Sequence, residues 1–212
     1  MQKRSLFLTF EGMDGSGKTT QMRLLAARLR ANGHDVLETA EPGGTRIGIE
    51  IRRIVLDTAN QELKPTAEML LYFACRAQNV DEWILPALAA GKIVLSDRFT
   101  DSTLVYQGCG RGLGADTVTT LDRIACRGLV PDLTLLIDID AETSLARAHA
   151  RNASQSHCET RMDEQSLEFH RRVYDAYHAL AEREPVRFRV IDGRADIESM
   201  AEAIWKVVEP HV

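Results

Sequence analysis

The sequence lacks any apolar run close to the ~20 residues that a membrane-spanning helix requires. Its first residues, MQKRSLFLTFEG, begin with basic side chains, but the apolar run that follows is short and stops at Glu11, unlike a secretory signal. We therefore expect a cytoplasmic protein without a membrane partner.

Cysteine is scarce as well, and its positions show no pairing. Cys75, Cys109, Cys126 and Cys158 are scattered, without the close spacing of a zinc site or of a disulfide framework. The six histidines also lack the spacing of metal ligands. We expect reduced thiols and no zinc centre.

Positive charge is not in excess either. The chain of 212 residues has a net charge of -5, which argues against a broad nucleic-acid surface but is compatible with a local basic pocket for a small anion. No internal repeat, low-complexity tract or linker divides the sequence. With 44% hydrophobic and 27% charged residues, it is predicted to fold as a single domain over residues 1–212.

What the sequence does contain is an alternation of strands and helices. Apolar stretches predict strands at 6–10, 35–39, 92–97, 132–140 and 186–192. Apolar residues at helical spacing predict helices at 18–29, 47–56, 65–90, 101–106, 116–126, 141–151, 169–180 and 197–208. Strands that are apolar throughout favour an α/β fold, in which helices cover both faces of a parallel sheet and ligands bind at the carboxyl ends of the strands.

One segment has the pattern of a phosphate-binding loop. GMDGSGKT, residues 12–19, has the spacing of a P-loop, whose glycines let backbone amides surround phosphate oxygens at the start of a helix. In such a loop Lys18 neutralises the terminal phosphates and Thr19 ligates Mg²⁺. Asp97, at the end of a predicted strand, either faces that metal from the neighbouring strand or caps a turn. The P-loop alone leaves hydrolysis, switching and phosphoryl transfer open.

Four further stretches follow predicted strands. They are EPGGTRIG at 41–48, LLYFACRAQNV at 70–80, SDRFTDSTLVYQGCGRG at 96–112, and ARAHARN with TRMD within 146–163. Together with the P-loop, and in this order over residues 7–191, they resemble the thymidylate kinase family. The resemblance implies the P-loop nucleoside monophosphate kinase fold, with a five-stranded parallel sheet flanked by helices. It also implies a homodimer that transfers the γ-phosphoryl group of ATP to dTMP with Mg²⁺, giving ADP and dTDP for dTTP biosynthesis.

The resemblance also assigns residues to the two substrates. Tyr72 would stack on thymine, unless the adjacent Phe73 does so, and Arg76 would donate to a base carbonyl. Arg98 would bind the acceptor phosphate through its planar fork, and Tyr106 would crowd the 2′ position of the sugar. The implied acceptor-site residues are Asp14, Arg52, Tyr72, Arg76, Arg98, Ser102, Thr103, Tyr106 and Gln107. The implied ATP-binding residues are Gly12, Met13, Asp14, Gly15, Ser16, Gly17, Lys18, Thr19, Thr20 and Arg147.

The P-loop has no arginine, so the resemblance places the catalytic arginine in a lid at about 148–162. Arg147, Arg151 and Arg161 are the candidates, and we assign the transferred phosphate to Arg151. Such a cation contributes about 10³-fold or more to the rate. The implied catalytic residues are Lys18, Asp97, Arg98 and Arg151, with Thr19 and Asp97 as metal ligands.

Other functions share parts of this pattern. Another P-loop nucleotide kinase would have the same phosphate loop, and a nucleotide-driven switch ATPase would have it without the acceptor-site residues. Two positions also depart from the family pattern, because Ile49 stands where a glutamate is expected and Gly193 where an alanine is common. The sequence does not predict the consequence of Ile49.

Overall fold

The computed structural model describes residues 5–153 and 160–212, and of Ala153 only the backbone. Within these residues the strands are β1 (Leu6–Glu11), β2 (Val36–Ala40), β3 (Ile93–Asp97), β4 (Leu133–Asp138) and β5 (Phe188–Asp192). All are parallel and form one sheet in the order β2-β3-β1-β4-β5. β1 is therefore central, with Leu8 paired to Leu95 on one side and to Leu133 on the other.

The strands are connected by helices. The α-helices are α1 (Lys18–Ala31), α2 (Arg46–Leu56), α3 (Pro65–Asn79), α4 (Leu85–Ala89), α5 (Thr100–Thr103), α6 (Ala115–Cys126), α7 (Ala141–Ala153), α8 (Leu167–Arg183) and α9 (Ile197–Val208). A π-helical segment, Val80–Ile84, joins α3 to α4, and a second one, Leu104–Gly110, continues α5. Short 3₁₀ turns occupy Thr58–Asn60 and Glu209–His211.

The sheet is apolar on both faces, which explains the continuous apolar strands. On one face α1 and α9 pack against alternate residues of β1, including Leu8 and Phe10. On the other face Phe7 packs with α3 and α6, and Leu136 of β4 packs with α2 and α8. Helices that cover both faces leave the edge where the strands end as the open place for a ligand.

Two local features set the backbone at that edge. Gly17 has φ +100° immediately before α1, a left-handed conformation that glycine adopts without the steric cost of a side chain. Thr45 caps α2 by accepting a hydrogen bond from the amide of Gly48 at 3.0 Å. The P-loop follows β1 and the EPGG segment follows β2, so both lie at the carboxyl edge of the sheet, with β3 between the two strands.

The structure confirms the predicted α/β fold and its parallel sheet. The helix predicted at 101–106 is longer, because the π-helical segment extends it to Gly110. α7 ends at Ala153, so Asn152 is helical although the sequence predicts a loop there. No helix in the described ranges is long and apolar enough to cross a membrane. Three predicted free thiols, Cys75, Cys109 and Cys126, are confirmed, and Cys158 lies outside the described residues.

Candidate active site

A cavity of about 730 Å³ opens at the carboxyl edge of the sheet. Its walls come from the P-loop, from α2 and α3, from the segment after β3, and from α7. The predicted site residues on these walls are Asp14, Gly15, Gly17, Lys18, Thr19, Thr20, Arg52, Tyr72, Arg76, Asp97, Arg98, Ser102, Thr103, Tyr106, Gln107, Arg147 and Arg151. The structure thus brings the expected donor and acceptor residues into one cavity.

Three predicted P-loop residues lie behind that wall. A Cβ on Gly12 would stand 2.4 Å from the carbonyl oxygen of Ile137, so the loop packs on β4 only with glycine there. The side chain of Met13 is buried in the core, and that of Ser16 is buried without a hydrogen-bond partner in the described part of the chain. These residues therefore shape the loop and offer backbone groups, while their side chains do not line the cavity.

Lys18 lies inside the loop. Its Nζ donates to the carbonyl oxygen of Met13 at 2.7 Å. Burial and the nearby charge of Arg98 together lower the pKa of Lys18 to about 8, against the opposing effect of Asp14. A bound phosphate would raise this pKa again, because a nearby anion stabilises an ammonium group.

Thr19 and Asp97 meet across the ends of α1 and β3. The Thr19 hydroxyl donates a hydrogen bond to a carboxylate oxygen of Asp97. Mg²⁺ at nucleotide sites takes one or two protein oxygens and fills its remaining positions with phosphates and water, so this pair fits such an ion. Across the described ranges no three His, Cys, Asp or Glu side chains form a metal cluster, so a metal here would depend on the nucleotide for other ligands.

Arg98 is held by groups from separate elements. Its Nη2 donates to Asp14 of the P-loop at 2.8 Å, and its Nη1 donates to Ser102 at 3.0 Å and to Tyr177 of α8 at 3.3 Å. Its Cζ lies 5.0 Å from the centre of the Tyr106 ring. Burial raises the pKa of Asp14, but the charges of Arg98 and Lys18 and the hydrogen bond from Arg98 together outweigh burial and keep this pKa well below its usual value. Asp14 is therefore ionised in the cavity.

Arg76 is even more enclosed, with a side chain only 2% exposed. Its Nε donates to Glu41 at 2.6 Å, and its Nη2 donates to the Thr103 hydroxyl at 2.9 Å and to the Phe99 carbonyl at 3.0 Å. Its Nη1 is buried and has no hydrogen-bond partner among the described residues. A buried donor of this kind normally has a partner, so a ligand acceptor in the cavity fits it.

The two adjacent aromatic residues of α3 face in different directions. Tyr72 is half-buried and lines the cavity. Phe73 is 4% exposed and packs in the core with Phe7 and Val94. The ring available to a ligand is therefore Tyr72.

The remaining acceptor-side residues are also tethered. Arg52 donates to the carbonyl oxygen of Pro42 at 2.8 Å, which places it beside the EPGG segment. Gln107 donates to Glu68 at 2.8 Å, and Glu68 is fully buried. Hydrogen bonds to other protein groups therefore hold both Arg52 and Gln107 in the cavity wall.

The three lid arginines occupy different environments. Arg161 is 2% exposed, donates to Glu68 at 2.6 Å and to the Val55 carbonyl at 2.7 Å, and is not on the cavity wall. Arg151 and Arg147 do line the cavity. Arg151 contacts Asp163 at 3.2 Å and its side chain is 44% exposed. Of the three candidates, Arg161 is thus a buried anchor, and only the other two reach the cavity.

Comparisons with known proteins agree on one family. The thymidylate kinase family model matches residues 10–204. A thymidylate kinase of Pelobacter propionicus is 50% identical over 199 residues, which are 93% of this chain and 91% of the relative. One of Geobacter sulfurreducens is 51% identical over 203 residues, 95% of each chain. The chain belongs to the thymidylate kinase family.

A solved structure extends this agreement to the fold. The crystal structure of thymidylate kinase from Ehrlichia chaffeensis matches with a TM-score of 0.77 and 34% identity, covering 97% of this chain and 98% of that one. The resemblance expected from the sequence is confirmed, as is the nucleoside monophosphate kinase fold. Family membership makes the chain a phosphotransferase that phosphorylates dTMP with ATP.

The two departures from the family pattern have different structural settings. Ile49 is 43% exposed on α2 and does not line the cavity. Gly193 is confined, because a Cβ there would lie 2.7 Å from Ile139 and 2.9 Å from the carbonyl oxygen of Asp138. Its carbonyl accepts from Arg147 at 3.1 Å, so the glycine shapes the contact between the β5 end and α7.

Sequence reasoning missed several polar residues around the cavity. Glu11 and Tyr177 lie behind Arg98, Glu68 lies behind Gln107, and Asp163 lies beside Arg151. Two signals were present: Glu11 is a charged residue ending an apolar strand, and Glu68 precedes Tyr72 by one helical turn on the same face. Asp163 ends the TRMD stretch, but nothing in that stretch assigned it a role, and Tyr177 had no comparable signal.

Proposed function

We propose that ATP binds at the P-loop, that dTMP binds between Tyr72 and Arg98, and that the phosphoryl group passes between them inside the cavity. In this arrangement Lys18 neutralises the ATP phosphates and Arg147 contributes to ATP binding. Arg52 joins Arg98 on the acceptor phosphate. Arg76, Thr103, Ser102 and Gln107 form the wall around the base and sugar.

The observation that carries this proposal is that Arg76, whose Nη1 has no hydrogen-bond partner among the described residues, and Tyr72 line the same cavity, one helical turn apart on α3. A guanidinium donor and an aromatic ring on one cavity wall suit a flat base that carries a carbonyl oxygen. The other donors of Arg76 are fixed by Glu41 and Thr103, so its fork cannot turn away. This supports thymine as the base, with O4 as the acceptor.

The chemistry needs alignment and charge stabilisation more than a strong base. The acceptor phosphate is already anionic near neutral pH, so no side chain has to remove a proton from it. Ionised Asp14, next to Arg98 and Tyr106, is placed to accept a hydrogen bond from the sugar 3′-hydroxyl. Tyr106 narrows the space beside the 2′ position and favours deoxyribose.

Two positive groups complete the donor side. Arg151 offsets the charge of the phosphoryl group during transfer. Mg²⁺, held by Thr19 and Asp97 together with phosphate oxygens, would neutralise the β- and γ-phosphates. The lid, at about residues 148–162, would exclude water when substrates are bound and so limit ATP hydrolysis, although residues 154–159 of it lie outside the described residues.

The experiment is product analysis with each component omitted in turn. Purified protein is mixed with ATP, Mg²⁺ and dTMP, and nucleotides are separated by chromatography. Equal amounts of ADP and dTDP, formed only when dTMP and Mg²⁺ are both present, support the proposal. ADP formed without dTDP and independently of dTMP would instead support a switch ATPase, and phosphorylation of another monophosphate in preference to dTMP would support a different nucleotide kinase.

The same assay tests the base pocket. A thymine methyl group in an apolar setting is worth only about 1–3 kcal/mol, so dUMP should be a poor but detectable acceptor. Its kcat/KM should fall roughly 10- to 200-fold below that of dTMP. Equal values for the two acceptors would contradict the pocket as described.

We also propose a cytoplasmic homodimer in which each chain is one domain over residues 1–212. The support for a dimer is an apolar surface on neighbouring helices: Ile47 and Ile54 of α2 and Leu70 of α3 are 43%, 45% and 49% exposed. Burying such side chains against a second copy is favourable. Sedimentation of the protein and of an Ile54→Glu variant tests this, with a shift from dimer to monomer expected in the variant.

A further inference from the structure

Glu11, the last residue of β1, lies behind the acceptor site without lining the cavity. It is fully buried, and both of its carboxylate oxygens accept hydrogen bonds. Oε1 accepts from the amide of Phe99 at 2.7 Å. Oε2 accepts from the Ser102 hydroxyl at 2.5 Å and from the Tyr177 hydroxyl at 2.8 Å. One carboxylate thus joins β1, the turn after β3, α5 and α8.

The amide that Glu11 holds belongs to the residue after Arg98. Arg98 has φ +72°, a left-handed conformation that is unusual for a residue with a side chain and costs of the order of 1 kcal/mol or more. Such a backbone persists only when its surroundings fix it. Here the Arg98 amide donates to the Phe10 carbonyl at 2.9 Å, and its own carbonyl accepts from Ser96 at 2.7 Å. The bond from Phe99 to Glu11 fixes the other side of the turn.

The two hydroxyls that Glu11 holds also accept from the guanidinium of Arg98. Ser102 and Tyr177 accept from Nη1 at 3.0 and 3.3 Å, and the two hydroxyls lie 3.0 Å apart. Because each hydroxyl gives its proton to Glu11, its oxygen lone pairs are directed toward Arg98. The carboxylate therefore sets the orientation of both acceptors that hold Nη1.

We propose that Glu11 is a positioning residue for the acceptor phosphate: it fixes the backbone turn and the two hydroxyls that direct Arg98 into the cavity. This inference rests on the proposed role of Arg98 in binding that phosphate. Glu11 itself touches no substrate. Its effect should consequently be confined to ligands that carry a phosphate at the Arg98 position.

A Glu11→Gln substitution tests this with little change of shape. An amide places an NH₂ group where the carboxylate has an oxygen, so at least one of its donors, the Phe99 amide or the two hydroxyls, loses its acceptor. Binding of dTMP and of thymidine, which lacks the phosphate, is measured by calorimetry without ATP at about pH 8.5, above the pKa of Glu11 of about 7, so that its carboxylate is ionised. We expect dTMP affinity to fall about 10- to 100-fold, the usual range for a hydrogen bond to a charged group, with thymidine affinity unchanged.

Asp132→Asn is the matched control. Asp132 accepts from the amide of Phe7 at 2.8 Å, so it is a carboxylate that holds a backbone amide at the opposite end of β1. Both affinities of this variant should stay within about twofold of the parent values, as is usual for a change away from the site. If Glu11→Gln lowers both affinities equally, or neither, the inference is overturned and Glu11 has a general structural role.

Arg98→Met separates this inference from the proposal on which it rests. Arg98→Met should lower dTMP affinity without changing that for thymidine, and Glu11→Gln should add no further loss in that background. If Arg98→Met leaves dTMP affinity unchanged, the role of Arg98 fails and the inference fails with it. If Arg98→Met selectively weakens dTMP but Glu11→Gln does not, only the inference fails.

Tyr177→Phe provides a second test of the inference if the Glu11→Gln protein does not fold. It removes one hydroxyl between Glu11 and Arg98 and keeps the ring in the core. A selective but smaller loss of dTMP affinity supports the inference. An unchanged ratio of dTMP to thymidine affinity overturns it.

Discussion

The arginines on the two sides of the cavity differ in how firmly they are held. On the acceptor side Arg76 and Arg98 have side chains that are 2% and 14% exposed, and each is bound by several protein groups. On the lid side Arg151 is 44% exposed, and its ion pair with Asp163 spans 3.2 Å. Fixed cations lose little freedom when a ligand arrives, whereas an exposed arginine can move to follow a transferring group. We infer that acceptor recognition is preorganised and that charge stabilisation is completed by the lid.

The largest expected effect concerns Arg151, the exposed arginine on the lid side of the cavity. Arg151→Met should lower kcat about 10³-fold and leave the KM for dTMP nearly unchanged, because in the proposed function its charge acts during transfer rather than in binding. Steady-state kinetics with varied dTMP measures both quantities. Arg171→Met is the control, since Arg171 is also exposed and pairs with Glu142 of α7 at 2.6 Å but does not line the cavity. A raised KM with unchanged kcat would assign Arg151 to substrate binding instead.

A second substitution tests whether the role of an arginine depends on its burial or on its position in the lid. Arg161→Met leaves Glu68 with one less cation in a fully buried site, so the free energy of unfolding should fall by about 3–5 kcal/mol. Since Arg161 does not reach the cavity, kcat of the folded enzyme should stay within about twofold of the parent. Urea denaturation and kinetics on the same sample compare the two effects. A large loss of kcat at unchanged stability would move the catalytic role to Arg161.

The contrast between the two sides also explains what the sequence predicted. The P-loop residues are contiguous, so their spacing alone specifies the phosphate loop at the end of β1. The sequence favoured Arg151 but did not show that Arg161 is buried, because the partner of Arg161 is Glu68, 93 positions away along the chain. Glu11 was read only as the end of an apolar run, since its partners lie 88, 91 and 166 positions away. Local motifs were predictable, and contacts between distant segments were not.

The strands and the orientation of the two adjacent aromatic rings of α3 also show what the sequence could and could not predict. The strands were predicted because their side chains are apolar on both faces, and the five apolar stretches correspond to the five strands of the sheet. The choice between Tyr72 and Phe73 was left open because both are aromatic residues of α3, a helix with one face against the core and another face beside the cavity. Adjacent residues on a helix differ by about 100°, but the sequence does not say which of the two directions is the cavity.

A third prediction concerns Glu11, the buried carboxylate behind the acceptor side of the cavity. Burial, with the nearby charge of Asp101, raises the pKa of Glu11 to about 7 from an ordinary value of 4.5. Between these values the folded protein keeps a proton that the unfolded chain has released, so stability falls as pH rises from 4.5 to 7. The contribution is at most about 3 kcal/mol. Glu11→Gln should remove it.

The measurement is the free energy of unfolding against pH for the parent and Glu11→Gln proteins. Their difference should change through the interval from pH 4.5 to 7 and be constant above it. Asp14, whose pKa is lowered, acts in the opposite direction and at lower pH, and it is common to both proteins. Parallel curves across the whole range would show that Glu11 does not titrate there.

The smallest expected effect concerns Tyr72, whose ring lines the acceptor side of the cavity. If the face of Tyr72 meets the base, Tyr72→Phe keeps that face and should change dTMP affinity by less than about threefold. Tyr72→Ala removes the ring and should weaken dTMP about 10-fold or more, because an aromatic stack on a base is worth about 1–3 kcal/mol. Calorimetry with dTMP and thymidine should give the same losses for both ligands, unlike the Arg98 variant. A large loss in Tyr72→Phe would mean that the hydroxyl, rather than the ring, recognises the acceptor, and the preorganised wall would then include a further polar contact.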